Sequence, residues 1–314
     1  MKPIRLRDFV RVSSAYFSVV GYRNEDAVKC FLRYVPGGSR KGFRKLTHDE
    51  ATAHPLAKKY YRDGIFLIPL EDVDEIYKPE ERIRDVIESD EEVRRIVEFF
   101  KGIPLHAMGV TGSRLIGLQS GESDVDFVMY GRWWFEAREM LKKGISSGRL
   151  SEPDDDMWEF IYRKRKVPIP FDIFVAHERR KYHRAMLSST YFDLLYVRDY
   201  CDIYKGFSEK RGKKLGKATV RGKLMDDSLV FDYPAYYPIE GEVNGVKAVL
   251  AFTHTYVGQV FRGEVIEARG VVEEIEGEKY LIVGTKREVE DEYIVSLSFL
   301  EEARLADEFR RWES

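Results

Sequence analysis

The amino-acid sequence of this 314-residue chain predicts an α+β protein, and three patterns support that fold class. Apolar and polar residues alternate in residues 14–36, which predicts a β-hairpin. Residues 109–130 predict two apolar strands joined by a polar, glycine-rich connection. After residue 216, short strands separated by turns predict a small β-barrel, similar to the OB type. With a Gly- and Lys-rich linker at residues 206–216, the predicted domains are 1–80, 81–205 and 206–314.

Composition indicates a globular protein. Hydrophobic residues make up 44% of the chain, and charged residues make up 34%, which exceeds the usual share of about a quarter. No apolar run approaches the ~18 residues of a membrane span, and the N-terminus lacks the apolar core of a signal peptide. The two cysteines predict neither a disulfide framework nor a zinc site. We therefore expect a cytoplasmic protein without a membrane partner.

The first 80 residues predict a small α+β module. A helix is predicted over Thr47–Tyr61, because Thr47 and Glu50 have the spacing of a capping box. Another helix, within Glu71–Phe100, is predicted to lie on the central sheet. The module either caps the central domain or helps to bind a substrate. Its basic residues either contact phosphates or form a solvated surface: Arg5, Arg7, Arg40, Lys41 and Arg44.

The stretch from Gly109 to Gly131 carries the clearest functional signal. Asp124 and Asp126 lie two residues apart on a predicted strand, so both side chains point to the same face. The apolar residues around them indicate a mostly buried strand, where two adjacent negative charges need a cation or a proton to compensate them. Mg²⁺ prefers hard oxygen ligands, so a pair of divalent metal ions is the favoured compensator.

Two further features extend this predicted site. Asp172 lies in the apolar run Ile169–Val175, which predicts a strand, and a hairpin with a strand at Trp158–Val167 would bring it beside the acid pair. Gly112 and Ser113 form a small-residue turn at the start of a predicted short helix, where N–H groups and a hydroxyl can bind a phosphate. The residues thus predict a three-carboxylate metal site beside a phosphate-binding turn.

Taken together, these motifs resemble the DNA polymerase β-like nucleotidyltransferase superfamily. Its motif is matched by Gly112, Ser113, Asp124, Asp126 and Asp172. The resemblance covers roughly residues 82–205, and it is stronger to uncharacterised archaeal nucleotidyltransferases than to archaeal CCA-adding enzymes. It implies a palm domain with a mixed sheet. It also implies transfer of a nucleoside monophosphate from an NTP to a hydroxyl, with release of pyrophosphate.

The same resemblance implies a role for each matched residue. Two Mg²⁺ ions, or Mn²⁺ in their place, would be bridged by Asp124 and Asp126. Asp172 would hold only the catalytic ion and would accept the proton of the attacking hydroxyl. Ser113 would contact the terminal phosphates of the NTP, and Arg114 either joins it or faces solvent.

Three other segments complete the predicted central domain. Arg132–Ile145 predicts a helix that covers the sheet. Ser188–Tyr204 predicts a second helix packed on the same sheet. His177 is interpreted as a surface or capping residue, with substrate contact as the alternative.

A basic stretch surrounds and follows Asp172. Residues 157–225 contain 17 Lys or Arg against 7 Asp or Glu, in a chain whose net charge is −2. This clustering predicts binding of polyanions, a class that includes both an NTP and nucleic acid. Alternatively, part of these charges pairs with acidic surfaces elsewhere in the chain.

Three functions stay open on the sequence. The first is transfer to the 3′ end of an RNA, such as a tRNA-like molecule, held by the basic residues of 163–223. The second is the same chemistry on a protein hydroxyl or a small alcohol. The third is a non-catalytic nucleic-acid-binding protein with the same fold. The basic stretch favours the RNA acceptor.

Overall fold

The computed structural model describes residues 2–121, 123–243, 245–284 and 291–313, and it divides into two compact units. Unit 1 comprises Met1–Glu152 and His183–Lys205, and unit 2 comprises Pro153–Tyr182 and Gly206–Ser314. None of the described helices combines the length and the apolar character needed to cross a bilayer.

Unit 1 begins with a sheet of seven strands in the described part of the chain. Its strands are β1 (Phe9–Val12), β2 (Ala15–Val19), β3 (Ala27–Gly38), β4 (Gly42–Lys45), β5 (Tyr61–Arg62), β6 (Ile65–Pro69) and β7 (Glu75–Tyr77). The order is β5-β6-β3-β2-β1-β7, and β4 pairs with β3. The predicted hairpin is confirmed as antiparallel β2 and β3. We call this the N-terminal sheet.

Two short helices connect β4 to β5. They are α1 (His48–Ala53) and α2 (Pro55–Tyr60). The predicted capping box is confirmed, because the Thr47 side chain accepts from the Glu50 N–H while the Glu50 carboxylate accepts from the Thr47 N–H. Pro55 ends the first helix and begins the second, since proline fits the first turn of a helix but not its interior.

The second sheet of unit 1 contains four strands in the described chain. Its elements, with the neighbouring helices, are α3 (Pro79–Ser89), α4 (Glu91–Phe99), β8 (Met108–Val110), β9 (Val125–Tyr130), α5 (Arg132–Ser146), β10 (Arg184–Leu187) and β11 (Thr190–Val197). The order is β10-β11-β9-β8, with β11 parallel to β9 and the other pairs antiparallel. This mixed sheet agrees with the predicted palm. We call it the palm sheet.

Burial explains why this sheet forms. On one face of the central strands Val125, Phe127, Phe192 and Leu194 are 0% exposed, and on the other face Val128 and Leu195 are at most 1% exposed, so these strands are covered on both faces. Trp134 covers one face from α5, and its indole N–H donates to the Leu194 carbonyl oxygen at 3.2 Å. The predicted helix after the acid pair is therefore confirmed.

One prediction about unit 1 is wrong: Ser188–Tyr204 does not form a helix, because Thr190–Val197 is strand β11. The helical structure predicted within Glu71–Phe100 is confirmed, but it consists of two helices, α3 and α4, after strand β7. Asp90 separates the two helices by capping α4, where its side chain accepts from the N–H groups of Glu92 and Val93.

Unit 2 contains helices where two strands were predicted. Trp158–Val167 lies mostly in α6 (Asp155–Arg165), and Ile169–Val175 leads into α7 (Phe171–Lys181). The side chain of Asp154 caps α6 by accepting from the Met157 N–H at 2.9 Å. Asp172 is therefore in the first turn of a helix and not on a strand.

The other elements of unit 2 form a six-stranded sheet and two terminal helices in the described chain. They are β12 (Lys213–Lys223), β13 (Ala235–Val243), β14 (Val246–Ala251), β15 (Val265–Ile275), β16 (Glu278–Val283), β17 (Tyr293–Ser296), α8 (Leu297–Glu302) and α9 (Ala306–Glu313). The order is β12-β15-β16-β14-β13, with β17 on β15. No closed barrel is found among these described strands, so the predicted OB-like barrel is not confirmed.

Candidate active site

The turn between β8 and β9 is shaped around one carboxylate. Gly112 has a φ of +70°, and a Cβ atom placed on it would lie 2.5 Å from Oδ2 of Asp126. Only glycine tolerates both this backbone conformation and this close approach. Residues 112–117 form consecutive turns and not the predicted short helix, and the Leu118 N–H donates to the Ser113 carbonyl oxygen at 2.8 Å.

The acid pair lies where the sequence predicts it. Asp126 is in β9, and Asp124 directly precedes the strand. Both side chains are partly exposed, whereas Val125 and Phe127 are fully buried, as expected from the alternation of a strand. The two acids therefore emerge on one face of the palm sheet beside Gly112.

A further acid, which sequence analysis did not select, lies next to this pair. Asp193 in β11 is the register partner of Asp126 in β9, and directly paired residues of neighbouring strands share a face. On its other side Asp193 pairs with Arg184 of β10. Arg184, Asp193 and Asp126 thus form a row across three strands.

Asp193 is held by two buried neighbours. An Nη1 atom of Arg184 lies 3.0 Å from Oδ1 of Asp193, and the Tyr191 hydroxyl donates to the same oxygen at 2.8 Å. Arg184 also donates to the Tyr191 hydroxyl at 2.7 Å. Asp193 is only 5% exposed, so the guanidinium supplies the charge that a buried carboxylate requires. Burial raises the pKa of Tyr191 well above its ordinary value, which keeps it a proton donor to Asp193.

Asp172 does not belong to the palm sheet. It is exposed on the first turn of α7, in unit 2, whereas the acid pair is in unit 1. The third acid on the sheet is Asp193. Its local sequence, Thr-Tyr-Phe-Asp-Leu-Leu-Tyr-Val, carried the signal, because one acid in a run of aromatic and apolar residues is what a buried strand with a functional carboxylate looks like.

Arg114 is engaged inside the protein. The residue is 6% exposed, and its guanidinium pairs with Asp90 and, at 2.5 Å, with Glu92. It also donates to the Ser123 carbonyl oxygen at 2.9 Å. These contacts connect the start of α4 to the loop before Asp124, so Arg114 positions the acid-bearing loop. Facing solvent, one of its two predicted alternatives, is wrong.

The N-terminal sheet reaches the same turn. Tyr34 of the N-terminal sheet belongs to the buried cluster that contains Leu115 and Leu118 of the turn. Burial raises the pKa of Tyr34, and Arg33 and Arg40 oppose that increase while the Asp126 carboxylate adds to it. The Thr111 hydroxyl donates to the Arg7 carbonyl oxygen at 2.7 Å. Residues 1–80 therefore contact the candidate site directly.

The donor groups suit a divalent cation that arrives with a phosphate. The described residues contain no group of three His, Cys, Asp or Glu side chains placed to hold a metal ion. Mg²⁺ commonly binds through one or two carboxylates and completes its coordination with substrate phosphates and water. Asp124 and Asp126 are partly exposed, and the missing side chain of Gly112 leaves space beside Asp126. The residues present therefore fit such an ion.

Much of the basic stretch is neutralised within the protein. Its ion pairs include Arg163–Glu159 (2.9 Å), Arg179–Asp155 (3.8 Å), Arg180–Glu264 (2.5 Å), Arg184–Asp193 (3.0 Å), Lys205–Asp202 (2.6 Å), Lys210–Glu276 (2.8 Å) and Arg211–Glu273 (2.5 Å). Lys217 pairs with Asp291, and Arg221 pairs with Glu267. Four lysines of β12 are exposed, Lys213, Lys214, Lys217 and Lys223, and of these Lys217 pairs with Asp291.

His177 is a core residue of unit 2 and not a surface group. It is 0% exposed, and its Nδ1 lies 2.8 Å from the Ile173 carbonyl oxygen. Its Nε2 accepts from the Ser296 N–H at 3.1 Å. Both ring nitrogens are therefore satisfied by backbone groups when the imidazole is neutral.

Comparisons with known proteins support part of this site. A model of the nucleotidyltransferase domain family matches residues 90–183, which include Gly112, Ser113, Asp124, Asp126 and Asp172 and end before Asp193. The chain is 36% identical to the uncharacterised protein MJ1086 of Methanocaldococcus jannaschii, over 93% of this chain and 98% of that protein. The matched domain supports nucleotidyl transfer as the general activity, with an NTP as substrate. The chain therefore belongs to the nucleotidyltransferase domain family of the polymerase β-like superfamily.

Proposed function

We propose that this chain is a metal-dependent enzyme that transfers a nucleoside monophosphate from an NTP to a hydroxyl group, with Asp124, Asp126 and Asp193 as its acids. The observation that carries the proposal is the register pairing of Asp193 with Asp126 on the face that adjoins the Gly112–Ser113 turn. Asp193 is therefore the third acid of the proposed site, a role that the sequence analysis assigned to Asp172.

Asp124 and Asp126 would hold the divalent ions together with the phosphates of the NTP, and Asp193 would act beside them. Two such ions, when bound, stabilise the charge on the attacking and leaving oxygens of an in-line displacement. In that reaction the acceptor oxygen forms a bond to the α-phosphorus, the bond to the bridging oxygen breaks, and pyrophosphate leaves. Gly112 contributes by leaving room for the Asp126 carboxylate.

The protein groups around the acids orient the reactants. Ser113, with the N–H groups of its turn, binds the terminal phosphates, because small-residue turns present several donors to an anion. Arg184 and Tyr191 fix the orientation of the Asp193 carboxylate. Asp193 then receives the proton of the attacking hydroxyl. Arg114 holds the loop that leads into Asp124.

An RNA 3′ end is the acceptor we propose. The exposed lysines of β12, Lys213 and Lys214 at its start and Lys223 at its end, can contact a phosphate backbone. A protein hydroxyl or a small alcohol is the second candidate. The observation that favours it is the extent of internal pairing, since Arg180, Lys210 and Arg211 are already bound to carboxylates.

The experiment that tests this function follows a labelled phosphate. The protein is incubated with Mg²⁺, each α-labelled NTP, and either total RNA or total protein. We expect label in the RNA pool with an α-labelled NTP and none with the matching γ-labelled NTP, because the γ-phosphate leaves in pyrophosphate. Label in the protein pool supports the second acceptor. Label in neither pool, with RNA still bound, supports a non-catalytic nucleic-acid-binding protein and contradicts the proposal.

A further inference from the structure

The β3–β4 hairpin of the N-terminal sheet approaches the phosphate-binding turn. Its connection, Ser39–Lys41, follows β3, and the Arg40 N–H and carbonyl oxygen are both hydrogen-bonded to Phe43. An ideal Cβ on Gly117 would lie 3.9 Å from the Lys41 Nζ. The Lys41 ammonium is thus placed at the end of the same turn that begins with Gly112 and Ser113.

The contact between hairpin and turn is built into the core of unit 1. Leu115 and Leu118 of the turn are 2% and 4% exposed, and they belong to a buried cluster with Phe9, Tyr34 and Tyr77 of the N-terminal sheet. Phe43 of β4 joins this cluster through an edge-to-face contact with Tyr16, with ring centroids 5.3 Å apart. An apolar contact of this kind fixes the position of the hairpin above the turn.

The charges on the hairpin have the sign that phosphates require. Arg40 is partly buried and Lys41 is exposed. Burial raises the pKa of the Tyr34 phenol, and the positive charges of Arg33 and Arg40 oppose that increase. Cations therefore border the turn on the side of the N-terminal sheet, while the acid pair borders it on the side of the palm sheet. A triphosphate with a divalent ion fits this arrangement, because its phosphates would face the cations and its metal ion would face the carboxylates.

We propose that the β3–β4 hairpin forms part of the nucleotide site, where Lys41 and Arg40 bind the β- and γ-phosphates of the NTP over the Gly112–Ser113 turn. This inference rests on the proposed function and assigns the N-terminal sheet a share in substrate binding. After transfer, the same cations hold the pyrophosphate product until it leaves.

Pyrophosphate is the probe for this inference, because it carries the recognised groups without a base. Binding of Mg²⁺-pyrophosphate and of each NTP is measured by calorimetry for the wild type, Lys41→Asn, Lys41→Arg and Arg40→Ala. Asparagine suits position 41, because the residue has a φ of +49° and asparagine tolerates that conformation. Lys58→Ala is the matched control, since Lys58 is an exposed lysine on α2 of the same module.

The expected result is a loss confined to the hairpin variants. Lys41→Asn weakens binding of pyrophosphate and NTP about tenfold or more, as removal of a charged hydrogen bond does, and leaves binding of the nucleoside monophosphate unchanged. Arg40→Ala also weakens the binding of pyrophosphate and NTP. Lys41→Arg and Lys58→Ala both bind them as the wild type does. Unchanged pyrophosphate binding in both Lys41→Asn and Arg40→Ala overturns the inference while the proposed function stands. A wild type that binds no NTP and no pyrophosphate overturns the proposed function first.

Discussion

Carboxylates in the sheet of unit 2 differ from those of the palm sheet in unit 1, both in their exposure and in the residues beside them. In unit 2, Glu267 and Glu273 are 0% exposed, and they pair with Arg221 and Arg211. In the palm sheet of unit 1, Asp124 and Asp126 are partly exposed and adjoin a glycine whose missing side chain leaves space. Asp193 combines both features, because it is buried and paired yet lies next to Asp126.

This difference shows how to interpret acids and bases in a highly charged chain. A fully buried carboxylate with its own guanidinium is a structural pair, whereas a ligand can reach partly exposed carboxylates beside an open turn. The basic stretch is subject to the same distinction. Much of its apparent excess charge stabilises carboxylates within the protein, so the local charge count overstates the surface that nucleic acid can use.

The largest effects are expected when one partly exposed acid of the palm sheet and one buried, ion-paired acid of unit 2 are each neutralised. We expect Asp126→Asn to lower the transfer rate by about 10² to 10³ or more, because it removes a ligand of the transition-state ions. Its free energy of unfolding should change by less than about 1 kcal/mol. Glu267→Gln should lower the free energy of unfolding by about 1–3 kcal/mol and keep the transfer rate of the folded enzyme. The reverse pattern in rate assays and urea melts would overturn the division.

The next test separates the two candidates for the third acid. We expect Asp193→Asn to lower the transfer rate about 100-fold, whereas Asp172→Asn, on helix α7, stays within about twofold of the wild type. Asp193→Asn also leaves Arg184 buried without its counter-charge, which should cost about 3 kcal/mol of stability.

A double variant removes that complication. Asp193→Asn with Arg184→Gln should recover most of the stability without recovering activity. A large loss of activity in Asp172→Asn, together with an active Asp193→Asn, would return the third position to Asp172.

A smaller effect is expected for the ion pair between Arg211 and Glu273 in unit 2. Burial alone would raise the pKa of Glu273, but Arg211 and the Gly212 N–H outweigh burial and hold that pKa below its usual value. Arg211→Gln should therefore lower the free energy of unfolding by about 2 kcal/mol near neutral pH. The difference from the wild type should shrink as the pH falls through the folded-state pKa of Glu273. Lys213→Gln on the exposed strand is the control, with an expected change below about 0.5 kcal/mol.

The smallest expected effect concerns a buried base in unit 2. Burial lowers the pKa of His177 to about 3, so the folded protein keeps this imidazole neutral. The stability it contributes is complete above an unfolded-state pKa of about 6.5 and is lost as the pH falls from there toward 3. Between about pH 7 and about pH 5.5 the loss should reach about 1 kcal/mol. His177→Gln should flatten this part of the stability profile, and an equal slope in the variant would contradict the assignment.

The parts of the molecule that could be predicted are those that depend on a pattern of residues close together in the sequence. Asp124 and Asp126 were placed correctly because two acids in an apolar alternating run identify both the strand and its face. Gly112 and Ser113 were recognisable as a turn from their small size. Thr47 and Glu50 likewise defined a helix start by their spacing.

The parts that could not be predicted depend on tertiary pairing. In β11, Tyr191, Leu194 and Leu195 have a spacing that also suits a helix, because a strand buried on both faces shows no alternation. The run around Asp172 is short and apolar like a strand, yet it opens helix α7 after Pro170. The acids Asp154, Asp155 and Asp156 stand at the start of α6, where negative side chains favour a helix N-terminus. The pairing of Asp193 with Asp126 follows only from the folded sheet.

Counting bound metal ions tests the central claim most directly. Electron paramagnetic resonance can measure Mn²⁺ bound to the protein in the presence of a non-hydrolysable NTP, independently of turnover. We predict about two ions per chain for the wild type and for Asp172→Asn, and fewer for Asp126→Asn and Asp124→Asn. An unchanged count in Asp126→Asn, or a lower count in Asp172→Asn alone, would contradict the account.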